Sequence, residues 1–313
     1  MTFVETVESA CPVCRESPAE EHARGKDFEY GTTQEREWVL RRCRACEVVL
    51  LSPRPADAEI PRIYPSHYYA YDFTGKKTLG YRVKTLLDRR SARDYLRRAP
   101  PGSKILDIGC GDGRLLRIFS ELGVANDRLF GIELDAQAVA SAQSQGLRVV
   151  RGRVEDADYD TGFFGLVVLQ QVLEHVSDPR AVIAKLHTIL EPGGTAIFET
   201  PNTASWDHAL FRRRYWGGYH IPRHFFLFRP ASLTRLLAAC GFDVVEVRFL
   251  ASPSFWVQSV HHALAERGLP AGVLRFFDPH LPNPLALAMF TGLDAVGKIL
   301  RVTSNMRLVA VKR

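Results

Sequence analysis

The chain has 313 residues, 46% of them hydrophobic, and a formal net charge of +6. That length predicts one large domain with a small one, or two ordinary domains. The mild positive charge permits a nucleic-acid or anionic partner without demanding either, and no run of about 18 uncharged apolar residues offers a transmembrane helix.

The opening MTFVETVESA carries acidic residues and no apolar stretch, so it does not read as a signal peptide. Four of the six cysteines form two pairs, Cys11-Pro-Val-Cys14 and Cys43-Arg-Ala-Cys46, while Cys110 and Cys240 stand alone. That usage predicts a reducing compartment, the cytoplasm, and a metal rather than a disulfide framework. Each CxxC can place two thiolates on one tetrahedral ion, and two such turns close a four-sulfur zinc site. A redox motif would explain one pair but not both. Residues 38–42 and 48–51 around the second pair read as strands, which predicts a zinc ribbon over residues 1–55. Residues 56–100 read as a linker and a helical lid. Within them, Tyr64, Tyr68, Tyr69 and Tyr71 either line a pocket or pack the ribbon on the next domain, and 79–98 reads as an Arg-rich helix stopped by Pro100-Pro101.

Residues 101–313 form the second unit. Lys104-Ile-Leu-Asp-Ile-Gly-Cys-Gly-Asp-Gly113 reads as a buried strand, a sharp turn at Gly109, Gly111 and Gly113, and a helix over 114–122. Alternate glycines let a backbone approach a ligand and expose amides near a helix N-terminus. Glu133 ends the next strand, 129–133, where a carboxylate can take both hydroxyls of a ribose. The dinucleotide fingerprint would need glycine where Arg114 stands, and no Lys-Ser/Thr supplies a phosphate loop.

"ILDIGCGDG" followed by "GIELD" resembles the class I S-adenosylmethionine-dependent methyltransferases. A strand at 164–169, a helix end, a Gly-Gly turn and a fifth strand within 189–202, and strands at 244–249 and 306–313, with helices between, extend the resemblance over roughly 76–250 and 305–313. It implies an α/β fold, a doubly wound seven-stranded Rossmann-like sheet, with a helical insertion at 253–304 before the last strand. It also implies roles for matching residues. Gly109, Cys110 and Gly111 would meet the methionine part of S-adenosylmethionine, with Asp107 and Gly113 in the same loop. Glu133 would hold the ribose, Leu134 would flank the adenine, and Val154 and Glu155 would meet its edge. Gln170 and Gln171 would lie near the methyl group, with Glu174 and His175 following in a helix as supports. Gly165 stands where many relatives carry Asp.

The segment "GYHIPRHFFLF", 218–228, follows the expected fifth strand. His220 and His224 could bind metal, but Pro222 between them disfavours a helix and no Glu completes an HExxH motif. They could be core residues beside Phe225, Phe226 and Phe228. They could also take a proton, since histidine titrates near neutrality. A zinc ribbon followed by this domain is similar to sugar C-methyltransferases, where an "HEH" before an aromatic run carries the base. His224 matches its last histidine, with Tyr219 and His220 as orienting residues. Arg223 replaces the acid, which would suit an anionic substrate.

In the insertion, 254–266 and 285–300 read as helices, forming a cap, a lid over an apolar acceptor, or a peripheral membrane contact. The expected activity is methyl transfer to an oxygen or carbon of a small molecule, such as a sugar, a nucleotide-linked sugar or a secondary metabolite. The alternatives are an RNA methyltransferase gripping nucleic acid through its ribbon, or a non-enzymatic zinc-ribbon interaction protein.

Overall fold

The computed structural model describes residues 4–16, 20–33, 36–64, 79–281 and 283–313. The expectations for Tyr68, Tyr69 and Tyr71 lie outside these residues. The N-terminal part contains β1 (Thr6–Val7), β2 (Glu20–Gly25), β3 (Trp38–Arg42), β4 (Val49–Leu51), β5 (Arg54–Pro55) and the single turn α1 (Ile60–Ile63). Helix α2 (Leu79–Leu96) leads into the larger unit. There, β6 (Ile105–Ile108), α3 (Arg114–Glu121), β7 (Leu129–Glu133), α4 (Ala136–Ser144), β8 (Arg148–Arg151) and β9 (Phe164–Gln170) alternate. They are followed by α5 (Pro179–Ile189), β10 (Leu190–Pro201), α6 (Trp206–Phe211), β11 (Phe226–Leu227), α7 (Pro230–Ala239) and β12 (Phe242–Leu250). Helices α8 (Pro253–Ala265), α9 (Ala271–Phe276) and α10 (Pro284–Leu300) fill the insertion before β13 (Asn305–Lys312).

The main sheet has seven strands in the order β12-β13-β10-β9-β6-β7-β8. Strand β13 runs antiparallel to both neighbours, and the strands from β10 to β8 are parallel. Strands β6 and β9 are buried nearly throughout, as a sheet covered on both faces requires. Helices α3 and α4 cover one face through Leu116, Phe119, Val139 and Ala142. Helices α5 and α7 cover the other through Ile183, Leu186, Leu233 and Leu236. The side chains of Asp135 and Asp178 cap α4 and α5, accepting from the amides of Ala138 and of Arg180 and Ala181. Gly165 is packed so tightly that a Cβ would overlap Ser103, which accounts for the missing Asp at that strand.

Two features depart from the sequence reading. Glu174 and His175 sit in a turn rather than a helix. Gln171 takes a left-handed φ of 54° and bends the chain, and the Glu174 carbonyl then accepts from the amides of Phe225 and Phe226. The N-terminal sheet also does not end at residue 55. Its order is β11-β4-β3-β2, so Phe226–Leu227 of the histidine segment supplies its fourth strand. One hydrophobic cluster runs from Cys11, Trp38 and Leu50 to Phe198 and Leu236.

Candidate active site

In parallel α/β sheets, ligands bind beyond the carboxyl ends of the strands. At that edge β6 runs into the glycine loop. Gly109, Gly111 and Gly113 all have φ between 54° and 80°. A Cβ at Gly109 would collide with Val172, and one at Gly113 with Leu147, so these two positions need glycine for space as well as for backbone geometry. The amides of Gly109 and Cys110 donate to the Ile132 carbonyl, which ties the loop to β7. Glu133 accepts from Gly111 N at 2.9 Å on one oxygen and from Leu134 N at 2.6 Å and Asp135 N at 3.0 Å on the other. Burial, then the neighbouring Glu133 charge, pushes the Asp107 carboxyl well above its ordinary range. Burial, then the charges of Asp107 and Glu133, pushes the Cys110 thiol up, so it is a compact loop residue and not a nucleophile. Leu134 is 53% exposed next to this loop, an apolar surface open to a flat ligand. Val154 is buried, and burial raises the Glu155 carboxyl.

The two glutamines are turned to different partners. Gln170 donates to Tyr95 Oη at 3.1 Å and Glu199 Oε2 at 3.2 Å. Gln171 donates to Asn305 Oδ1 at 3.1 Å.

A second group gathers at the ends of β9 and β10. The ring centres of His175 and His224 are 4.5 Å apart, those of His220 and His224 5.0 Å, and those of His175 and His220 6.1 Å. His224 Nδ1 donates to the Gly218 carbonyl at 2.8 Å. His175 Nδ1 donates to the Arg223 carbonyl at 3.1 Å, and Tyr64 Oη lies 3.0 Å from the same nitrogen. A carbonyl can only accept, so in the neutral rings both protons are on Nδ1 and both Nε2 atoms are acceptors. Burial, followed by the neighbouring histidines, holds the His224 pKa well below its usual value. The same causes, burial and then the His220 charge, push His175 down to about 3. The Glu174 carboxyl moves the other way, pushed up to about 8 by burial. Its Oε2 accepts from Thr200 Oγ1 at 3.0 Å, while buried Oε1 has no hydrogen-bond partner among the described residues. One ligand atom from each of Glu174, His175 and His224 falls within 4.8 Å of the others, a spacing that a metal could use as well as a proton. His220 is not in that group.

The sequence reading missed the contribution of the N-terminal module to this cluster. The buried carboxylate of Glu29 accepts from His220 Nδ1, and Gln258 Nε2 donates to Glu29 at 3.3 Å. Burial alone would raise the Glu29 pKa, but the His220 charge and hydrogen bond hold it below the usual carboxylate value. His220 itself takes a left-handed backbone, φ 39° and ψ 47°. No short motif around Glu29 flags it.

Arg223 does not wait for an anionic substrate. It is fully buried, and its two terminal nitrogens meet the two oxygens of Asp27 at 3.2 and 2.9 Å. Thr32 and the amide of Tyr30 also bond Asp27, so this ion pair bolts the histidine segment to the loop that carries Glu29. The Tyr219 hydroxyl is turned to the Arg212 carbonyl at 2.5 Å and to His208 at 3.2 Å, and these partners do not include the three histidines.

The four expected metal cysteines converge. Their sulfurs all lie within 4.8 Å of one another, with Cys14 and Cys43 at 3.6 Å. A tetrahedral zinc with Zn–S of about 2.3 Å needs sulfurs about 3.8 Å apart, so the donor set fits that ion. Both knuckles share one form. The amide of Arg15 donates to Cys11 O and that of Glu47 to Cys43 O, each at 2.8 Å, with Arg15 and Glu47 left-handed. Arg180 of α5 donates to the carbonyls of Pro12 and Val13, and Arg235 of α7 to that of Ala45, which docks both knuckles on the larger unit.

Comparison with known proteins agrees with this architecture. Residues 77–247 match the family model of a methyltransferase domain. A ubiquinone biosynthesis O-methyltransferase of Burkholderia pseudomallei is 28% identical over 185 residues, covering 53% of this chain and 72% of the relative. The protein of the same description from Thiobacillus denitrificans is 32% identical over 165 residues, covering 48% and 69%. Among solved structures, a chain in the complex between the Haloferax volcanii Trm112 methyltransferase activator and a methyltransferase shares the fold. It has a TM-score of 0.50 at 19% identity, covering 74% of this chain and 93% of that one. With the seven-stranded order and the glycine loop, these matches place the chain in the methyltransferase-domain family, as a class I S-adenosylmethionine-dependent methyltransferase.

Proposed function

We infer that the enzyme methylates an oxygen or carbon nucleophile of a small molecule and that the histidine cluster receives the displaced proton. The observation that carries this reading is the pair of Nε2 acceptors, on His175 and His224, held open by carbonyls at their Nδ1 atoms. S-adenosylmethionine supplies an activated methyl group on a sulfonium, so the protein's task is to align an acceptor and, where needed, to take its proton. His224 accepts that proton from the acceptor hydroxyl or acidic carbon. Burial favours the uncharged forms of Glu174, His175 and His224, so the two imidazoles present free acceptor nitrogens near neutral pH. Glu29 orients His220 beside it and offsets positive charge arriving there. The loop Gly109–Cys110–Gly111 with Asp107 and Gly113 holds the methionine part, Glu133 the ribose, and Leu134, Val154 and Glu155 surround the adenine. Gln170 and Gln171 shape the floor. The relatives' names, ubiquinone biosynthesis O-methyltransferase, favour an oxygen acceptor.

In this reading residues 1–55 form a zinc ribbon on Cys11, Cys14, Cys43 and Cys46. Residues 56–100 are linker and lid, and 101–313 are the methyltransferase domain with its insertion at 253–304. Zinc content, lost in Cys43→Ser, tests the ribbon. The activity test supplies methyl-labelled cofactor and a desalted small-molecule extract. Label in the small polar or organic fraction, absent with His224→Ala, is the expected result; RNase-sensitive label would overturn it.

A further inference from the structure

Helix α10 has one face fixed and one face bare. Its inner side packs through Ala286, Phe290 and Gly297, and Phe290 stacks on Trp256 of α8 at 5.5 Å between ring centres. Buried Asp294 locks the rotation by accepting from Ser252 N at 2.6 Å and Trp256 Nε1 at 3.1 Å. Its solvent side carries Leu285, Met289, Leu293, Val296, Ile299 and Leu300, all exposed. Leu285 is 72% exposed and Ile299 81%, so these side chains project rather than lie flat. The spacing repeats every three or four residues, which makes one stripe along a helix roughly 25 Å long. Val273 and Phe276 add exposed apolar surface on neighbouring α9. Soluble monomers rarely leave a stripe of this kind in water.

The charges around it select the partner. Arg267, Arg275, Lys298 and Arg301 are exposed, whereas the acids of the insertion are Glu266, which is exposed but held by Arg214, half-buried Asp278 and buried Asp294. An apolar face rimmed by cations matches the interface of a bilayer with anionic headgroups. A second copy would bring a like-charged rim against this one. No helix among the described residues is long and apolar enough to cross a membrane, so the contact would be a seating on the surface. The module is inserted where Leu250 and Pro201 both pair with Asn305, at the carboxyl edge that carries the glycine loop. Helix α8 also braces the histidine segment, with Ser259 Oγ accepting from Gly217 N at 2.8 Å.

We propose that α9 and α10 seat this enzyme on an anionic membrane surface, with its acceptor site held beside the lipid. The proposal rests on the surface itself and needs no particular acceptor. The test is co-sedimentation of the full chain with vesicles of phosphatidylcholine alone and of an equimolar mixture with phosphatidylglycerol, at low and high salt. Binding to the mixed vesicles, weakened by salt, is expected. Arg275→Gln and Lys298→Gln should each lower it on the order of fivefold, and Leu285→Glu with Val296→Glu should abolish it. S-adenosylhomocysteine affinity should be unchanged throughout, which reports that the variants are folded. Absence of vesicle binding, or binding indifferent to these substitutions, overturns the proposal. So does a dimer that Leu285→Glu with Val296→Glu dissolves without any vesicle binding, which would assign the face to a second copy. None of these outcomes bears on methyl transfer, because the assay uses no acceptor.

Discussion

The two sides of the site are built in opposite ways. On the cofactor side, Glu133 reaches the loop amide of Gly111 across 22 residues, one helix and the strand that follows it. On the side of the histidine cluster, proposed above to meet the acceptor, Glu29 meets His220 across 191 residues, Asp27 meets Arg223 across 196, and Tyr64 meets His175 across 111. The first side is a local property of the chain and carries chemistry common to a whole family. The second exists only after the N-terminal module has docked, and it is where a particular acceptor would be chosen.

The sharpest way to break this contrast is His224→Ala. Loss of a general base costs about 10²–10⁴-fold in turnover, and the division of labour requires that S-adenosylhomocysteine affinity stay unchanged, which calorimetry would read. A parallel fall in affinity would show that the two sides are one. Next in size, Arg223→Met leaves Asp27 buried without its partner. Removing one member of a buried ion pair costs about 3–5 kcal/mol, visible as a lower thermal midpoint. The double variant with Asp27→Leu should recover much of that loss, because two apolar groups can replace a buried pair. A silent single variant would mean that the module is not bolted here.

Glu29→Gln is a finer probe. It keeps the shape at His220 and removes the charge, so turnover should fall on the order of tenfold, with cofactor affinity held and the acid limb of the pH profile displaced. A purely structural Glu29 would shift thermal stability and leave that limb in place.

The smallest effect near neutrality concerns stability. Burial, and then the His22 charge, pushes His208 down to about 3, and burial pushes His262 down to about 4. Their folded pKa values lie below the unfolded value near 6.5, so only the unfolded chain takes up protons as the pH drops below that point. Stability is therefore full above about pH 6.5 and is lost on acidification toward pH 4, by up to about 1.4 kcal/mol per pH unit for each buried histidine. Thermal midpoints across that range would show the slope, and a flat profile would mean that these rings are solvated.

Much of the fold was legible because its signals are local. The buried runs of β6 and β9, the glycine loop and the two CxxC turns each follow from a few adjacent residues, and the helices at 254–266 and 285–300 appear at 253–265 and 284–300. The histidines stood out because a proline, glycines and aromatic residues surround them. Their environment did not. Arg223 looked like an anion binder because no nearby residue announces Asp27. Tyr219 looked like a neighbour of the site because sequence adjacency does not say which way a side chain turns. Glu174 and His175 looked helical because neither the left-handed Gln171 nor the bonds from Phe225 and Phe226 to the Glu174 carbonyl has a local sequence signal.

The sequence by itself determined the family, the glycine loop and the four-sulfur group, since each depends on backbone geometry and donor spacing within short stretches. Only the tertiary structure decided that the N-terminal sheet borrows β11, that Glu29 pairs with His220, and that the outer face of α10 stays bare. Those outcomes depend on which distant surfaces bury one another, and burial is a property of the packed chain rather than of any segment in it.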